Sequence, residues 1–156
     1  MMRQGAIYNN FCRQQTEADL SLCTVNVASL RGTMFLVVED EEDLLDLMVD
    51  TLSPYYTVMT FENGKKAYDH IDEHAWELII SDLRMPVMNG MEFYEEAVKR
   101  NPGLRKRFMF ITGDTYDFQV KEFLENTGVT YLRKPFRIKE LRDTVSRQLQ
   151  CRMIME

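Results

Sequence analysis

No apolar run in this 156-residue sequence approaches the ~20 residues that cross a bilayer; the longest, Met34 to Val38, has five. The chain starts Met1-Met2-Arg3-Gln4-Gly5 with no apolar segment behind it, so no secretory signal is expected. Cysteine is scarce. Cys12, Cys23 and Cys151 form an odd, scattered set without metal-ligand spacing. That usage suits a reducing cytoplasm and excludes a disulfide scaffold or a zinc site. Basic residues are outnumbered, 19 Lys and Arg against 25 Asp and Glu, and the net charge of −6 disfavours nonspecific binding to nucleic acid phosphates. Neither membrane insertion nor direct nucleic-acid binding is therefore expected. Repeats and low-complexity tracts are absent. So are a Gly-rich phosphate loop, a Gly-x-Ser-x-Gly elbow and a Cys/His pair with catalytic spacing. His70 and His74 lie one helical turn apart, but with no third ligand nearby they read as an exposed helix face.

What is present fits one folded domain: 45% apolar and 28% charged residues. In residues 1–33, Arg3, Arg13 and Arg31 stand against Glu17 and Asp19, which leaves a net −7 on the remainder. This segment has weak periodicity and is expected to be a tail or linker outside the main fold, dispensable for folding. Residues 34–150 form the expected domain, and 151–156 a short C-terminal tail.

From Phe35 the pattern is regular. Phe35-Leu36-Val37-Val38 reads as a strand buried on both faces. Leu44, Leu45, Met48 and Leu52 recur at helical spacing before Ser53-Pro54. Tyr56 to Phe61 predicts a second strand and Lys65 to His74 a helix. Leu78-Ile79-Ile80 predicts a third strand, followed by a helix opened by Asn89-Gly90 and carrying Tyr94, Ala97 and Val98. Phe108 to Ile111 predicts a fourth strand, with Tyr116, Val120, Phe123 and Leu124 on one face of the next helix. Val129 to Leu132 predicts the fifth strand, and Ile138, Leu141, Val145 and Leu149 the last helical stripe. Five strands alternating with five helices imply an α/β, doubly wound parallel sheet with right-handed crossovers. Chemistry in such sheets sits beyond the carboxyl ends of the strands.

Those ends carry reactive groups. The first strand runs into Glu39-Asp40-Glu41-Glu42-Asp43, five acids in succession. Glu41, Glu42 and Asp43 read as a helix start, where the dipole favours negative charge. Glu39 and Asp40 sit at the strand terminus itself, and Asp82 ends the third strand. Carboxylates gathered there repel unless protonated or bridged by a cation, and hard oxygen ligands suit Mg²⁺. The fourth strand ends in Ile111-Thr112-Gly113, a hydroxyl with a small neighbour, and the fifth in Arg133-Lys134-Pro135-Phe136, an ammonium. Singly these are ordinary turn residues. Together, acids, hydroxyl and ammonium make a site for a phosphoryl group.

In their order, Val37-Val38-Glu39-Asp40-Glu41, then Ser81 to Gly90, then Ile111-Thr112-Gly113, then Tyr131 to Phe136 resemble the receiver domain of two-component response regulators and hybrid histidine kinases. The resemblance runs from about Phe35 to Leu149. It implies a flavodoxin-like (βα)5 fold with strand order 2-1-3-4-5. It implies that Asp82 accepts a phosphoryl group from a phosphohistidine. The partner would be a histidine kinase or histidine phosphotransfer protein. Asp40, Asp82 and the backbone carbonyl of Arg84 would hold Mg²⁺, with Glu39 acting through water; many receivers have Asp at the Glu39 position. Thr112 and Lys134 would bind phosphoryl oxygens, and Tyr131 would be the switch aromatic, turning inward when Thr112 moves. A downstream protein would meet the face of the fourth helix, fifth strand and fifth helix, and a phosphorylation-dependent homodimer is compatible with that face. The family pattern also predicts a cis Lys134–Pro135 bond, which would aim Lys134 into the site.

No effector domain is expected after Glu156. Stand-alone regulator, relay receiver and hybrid-kinase fragment all stay open. One competing reading is a Mg²⁺-dependent phosphohydrolase with an aspartyl nucleophile, but its acid two residues after Asp82 is replaced by Arg84, which cannot act as an acid. Another is a docking module that is never phosphorylated. Arg84 and Asp114, each two residues beyond a strand-end group, are expected to face each other across the mouth and gate phosphoryl lifetime through a fork-like ion pair.

Overall fold

The computed structural model describes Ala6–Tyr8 and residues 32–155. In chain order the elements are β1 (Ala6–Tyr8), β2 (Met34–Val38), α1 (Glu42–Leu52), β3 (Thr57–Phe61), α2 (Gly64–Asp69) and β4 (Trp76–Asp82). They continue with α3 (Gly90–Arg100), a 3₁₀ turn (Pro102–Lys106), β5 (Phe108–Thr112), α4 (Phe118–Thr127), β6 (Thr130–Arg133) and α5 (Ile138–Met155). The sheet order is β1-β3-β2-β4-β5-β6, with every pair parallel except β1 on β3. The five parallel strands thus take the expected 2-1-3-4-5 order, and the reversal between β2 and β4 opens the crevice at their carboxyl ends.

Alternation along the strands divides the core in two. Leu36, Val38, Met59, Phe61, Ile79, Phe108 and Phe110 pack with Ala67 of α2, Phe93 and Tyr94 of α3, and Val120 and Leu124 of α4. Phe35, Val37, Val58, Leu78, Ile80, Met109 and Ile111 pack with Met48, Val49 and Leu52 of α1, and Leu141 and Val145 of α5. Because successive side chains point to opposite faces, a run such as Phe35 to Val38 feeds both layers. Helix starts are fixed locally. Asn63 accepts from the Lys66 amide at 2.9 Å, Asn89 and Glu92 form a capping box, and Asp117 accepts from the Val120 amide at 3.1 Å. Gly128 closes α4 at φ 63.

Four expectations are corrected. Ala6–Tyr8 adds an antiparallel strand to the sheet, so these three residues of the 1–33 segment lie within the fold; its residues 1–5 and 9–31 lie outside the described residues. Residues 151–155 continue α5 rather than forming a tail, and Arg152 is buried with Nη2 2.9 Å from Glu77 Oε1. α2 stops at Asp69, not His74: Asp69, Asp72 and Glu73 crowd the end where the dipole disfavours negative charge. Tyr116 precedes α4, which starts after the Asp117 cap, and is exposed.

Candidate functional site

β2 delivers the first acid. The Glu39 amide still donates to the Phe61 carbonyl at 3.1 Å, which locks its backbone beside β3 and leaves its side chain buried. Asp40, where the chain turns towards α1, is exposed. Asp82 ends β4 and is 6% exposed. Its position depends on two glycines. A Cβ on Gly90 would lie 2.1 Å from the Asp82 carbonyl oxygen, and one on Gly64 would lie 2.6 Å from the Met88 carbonyl oxygen. The amides of these glycines donate to Leu83 and Met88 carbonyls at 3.0 and 3.2 Å, drawing the 83–90 loop flush against β4 and α2. At the tip of this loop Val87 holds φ 72, a strained value for a β-branched residue, with its side chain exposed.

Oxygens of Glu39, Asp40 and Asp82 all lie within 4.8 Å of one another. Lys134, just past β6, places Nζ 2.9 Å from Asp82 Oδ2 and 3.1 Å from Glu39 Oε2. The Lys134–Pro135 peptide is cis, as expected. The other Asp82 oxygen, Oδ1, accepts from the Arg84 amide at 3.1 Å, and Glu39 Oε1 accepts from the Glu41 amide at 3.2 Å. Burial first, and then the Asp82 charge, raise the Glu39 pKa to about 7, although Lys134 opposes this. Burial works against the Lys134 charge, but its hydrogen bond to Asp82 and the two carboxylates outweigh it and hold the ammonium above the ordinary lysine range. Three carboxyl groups gather their hard oxygen atoms here, and the Lys134 ammonium contacts two of them. This donor set fits a divalent cation such as Mg²⁺.

Thr112 ends β5 fully buried, and its hydroxyl oxygen accepts from the Asp114 amide at 3.1 Å. The Lys134 amide donates to the Thr112 carbonyl at 2.9 Å. Tyr131 points outward, 48% exposed, rather than into the crevice. Arg84 and Asp114 do meet, Nη2 to Oδ2 at 2.9 Å, but the fork-like geometry is corrected: the same nitrogen also lies 2.9 Å from Asp117 Oδ2. The Val120 amide first, and then Arg84, hold the Asp117 carboxyl below its usual range. Gly64, Gly90 and Asp117 were not picked out by the strand-end logic. Gly90 was legible only as part of a helix start, and Asp117 carried a signal as an N-cap residue ahead of the apolar Val120 and Leu124. The histidines stand apart: His70 Nδ1 is 2.8 Å from the Lys66 carbonyl, and His74 packs edge-on to Trp76. Neither belongs to a metal-ligating group among the described residues.

The acidic crevice, the hydroxyl and the ammonium are therefore brought together at one end of a five-stranded parallel sheet. Residues 35–146 match the response regulator receiver domain model. The chain belongs to that family. This receiver domain is 30% identical to the response regulator receiver protein CpdR of Brucella abortus over 115 residues, which is 73% of this chain and 94% of that protein. It is 31% identical to the sensor kinase CckA of the same species over 118 residues, 74% of this chain but 12% of the kinase. The solved chemotaxis protein CheY4 of Vibrio cholerae superposes with a TM-score of 0.68 at 28% identity, over 76% of this chain and 99% of CheY4. Receiver domains are signalling modules of two-component systems, found in response regulators and within histidine kinases. No helix among the described residues is long and apolar enough to cross a membrane.

Proposed function

We propose that Asp82 is the phosphoacceptor of this receiver, loaded from the phosphohistidine of a histidine kinase or histidine phosphotransfer protein. The observation that carries this reading is the Asp82 carboxylate at the strand end, with Lys134 Nζ 2.9 Å from one oxygen and the Glu39 and Asp40 carboxyl groups within 4.8 Å. A carboxylate oxygen forms the new P–O bond as the P–N bond of the donor breaks, and the electron pair leaves on the imidazole nitrogen. Asp40, Asp82 and the Arg84 carbonyl would hold Mg²⁺, with Glu39 acting through water. When bound, the ion neutralises phosphoryl oxygens and orients the donor. Lys134 pairs with one phosphoryl oxygen, and Thr112 donates its hydroxyl to another after turning from the Asp114 amide.

Tyr131 follows Thr112 inward, which alters the α4–β6–α5 face that a downstream protein or a second copy would read. The domain acts in the cytoplasm as a switch with weak self-phosphorylation and autodephosphorylation, not as a turnover enzyme. The test is incubation with Mg²⁺ and acetyl phosphate, followed by mapping the labelled residue by mass spectrometry. Label on Asp82, lost in Asp82→Asn and without Mg²⁺, supports the reading; an Asp82→Asn variant that labels at the parent rate ends it.

A further inference from the structure

The loop between β5 and α4 is held from two sides by two arginines. On the β4 side, Arg84 pairs with Asp114 and Asp117 at 2.9 Å each. On the β6 side, Arg133 donates through Nη2 to the Thr115 hydroxyl, and its guanidinium carbon lies 5.2 Å from the centre of the Tyr116 ring. Tyr116 is 89% exposed, so the Arg133 contact is not a by-product of core packing. Arg133 is itself anchored, because it is the register partner of Thr112 across β5 and β6.

The strand order gives the two contacts opposite senses. β5 lies between β4 and β6, so movement of Thr112 and its loop towards Asp82 is movement away from Arg133. Tyr131 and Arg133 are both exposed and sit two residues apart on one face of β6, so the Arg133–Tyr116 contact starts from the strand face that also carries Tyr131. We infer that Arg133 is a positioning residue, a latch that holds the Thr115–Tyr116 segment in the resting arrangement and opposes closure over a phosphorylated Asp82. The latch rests on the receiver reading above and adds its regulation: the phosphorylated state is favoured only after the latch lets go.

The probe is beryllofluoride, a phosphoryl mimic, titrated with Mg²⁺ against the full chain by calorimetry. Arg133→Ala and Tyr116→Ala should each bind it about two- to fivefold more tightly than the parent, the ratio an exposed cation–π contact supports. The double variant should gain no more than the better single, as expected for two halves of one contact. Tyr116→Phe, which keeps the ring, should match the parent. Mg²⁺ affinity without beryllofluoride should stay within about twofold, because neither residue touches the acidic cluster. If the parent binds and both alanine variants match it or bind more weakly, the latch is overturned and the receiver reading stands. If the parent does not bind beryllofluoride, or Asp82→Ala binds it equally well, the receiver reading falls and takes the latch with it.

Discussion

One nitrogen of Arg84 joins Asp114 and Asp117, lying 2.9 Å from an oxygen of each, so a single guanidinium ties together the two loops above Asp82. Hydrolysis of an acyl phosphate needs water in line behind phosphorus, and a gate formed by this bridge would obstruct that approach. All three side chains are partly exposed, so the effect is modest. Arg84→Ala should speed loss of the phosphoryl group about two- to fivefold. Asp114→Ala should do less, since Asp117 keeps hold of Arg84, and the Arg84→Ala/Asp114→Ala double should be no faster than Arg84→Ala. Decay of labelled protein in Mg²⁺ measures this; parent rates in both singles would remove the gate.

Among the described residues, Lys134 is the only cation within hydrogen-bonding distance of the Glu39 and Asp82 carboxylates. Removing it leaves two buried acids facing each other. Without Mg²⁺, Lys134→Ala should lose about 1–3 kcal/mol of stability. The loss should be smaller near pH 6 than near pH 8, because Glu39 escapes the repulsion by taking up a proton. Urea melts at the two pH values measure the difference, and an equal loss at both would refute it.

Glu39 also sets a pH dependence. Burial and the Asp82 charge raise it from 4.5 to about 7, so the folded chain binds this proton more tightly than the unfolded chain. The stability it contributes is fully present below about pH 4.5 and is lost as pH rises through about 7. Mg²⁺ favours the charged carboxylate, so binding should release a proton and apparent affinity should climb between about pH 6 and 8. Calorimetry in buffers of different ionisation enthalpy detects that proton. Glu39→Gln should flatten the profile, and a parent affinity independent of pH would contradict the assignment.

Two glycines at the crevice should respond very unequally to the same substitution. Gly90→Ala forces a methyl group against the Asp82 backbone, where the nearest approach would be 2.1 Å. It should cost at least about 2 kcal/mol and weaken Mg²⁺ binding, because the backbone that yields is the one carrying the acid. Gly113→Ala meets Lys134 Cβ at an ordinary 3.7 Å and should melt within about 1 kcal/mol of the parent. Thermal melts of both variants decide it.

How far the site was legible follows from where its residues stand. Glu39, Asp82, Thr112 and Lys134 each come at or just after the end of an apolar run, and a parallel sheet gathers such positions whatever the loops do. Asp117 meets Arg84 only because the β5–α4 loop folds back, and no periodicity encodes that path. The outward Tyr131 was equally hidden, since alternation along β6 gives its face but not its rotamer. The early stop of α2 was written in Asp69, Asp72 and Glu73, but Ala67, Tyr68 and Ile71 carried the helical pattern past it. Ala6–Tyr8 was missed because three residues are too few to show a period.

That short strand has a consequence for how copies of the chain behave towards one another. β1 lies along the outer side of β3, pairing Ala6 with Thr60, Ile7 with Met59 and Tyr8 with Val58. It covers a row of backbone donors and acceptors that would otherwise be open to any extended peptide. Among the residues whose burial is described, the core begins at Phe35, so a chain starting at Met34 should still melt cooperatively. What it should lose is reluctance to self-associate: β3 becomes an uncovered edge, and sedimentation runs at matched concentrations should show more concentration-dependent oligomer than the full chain does.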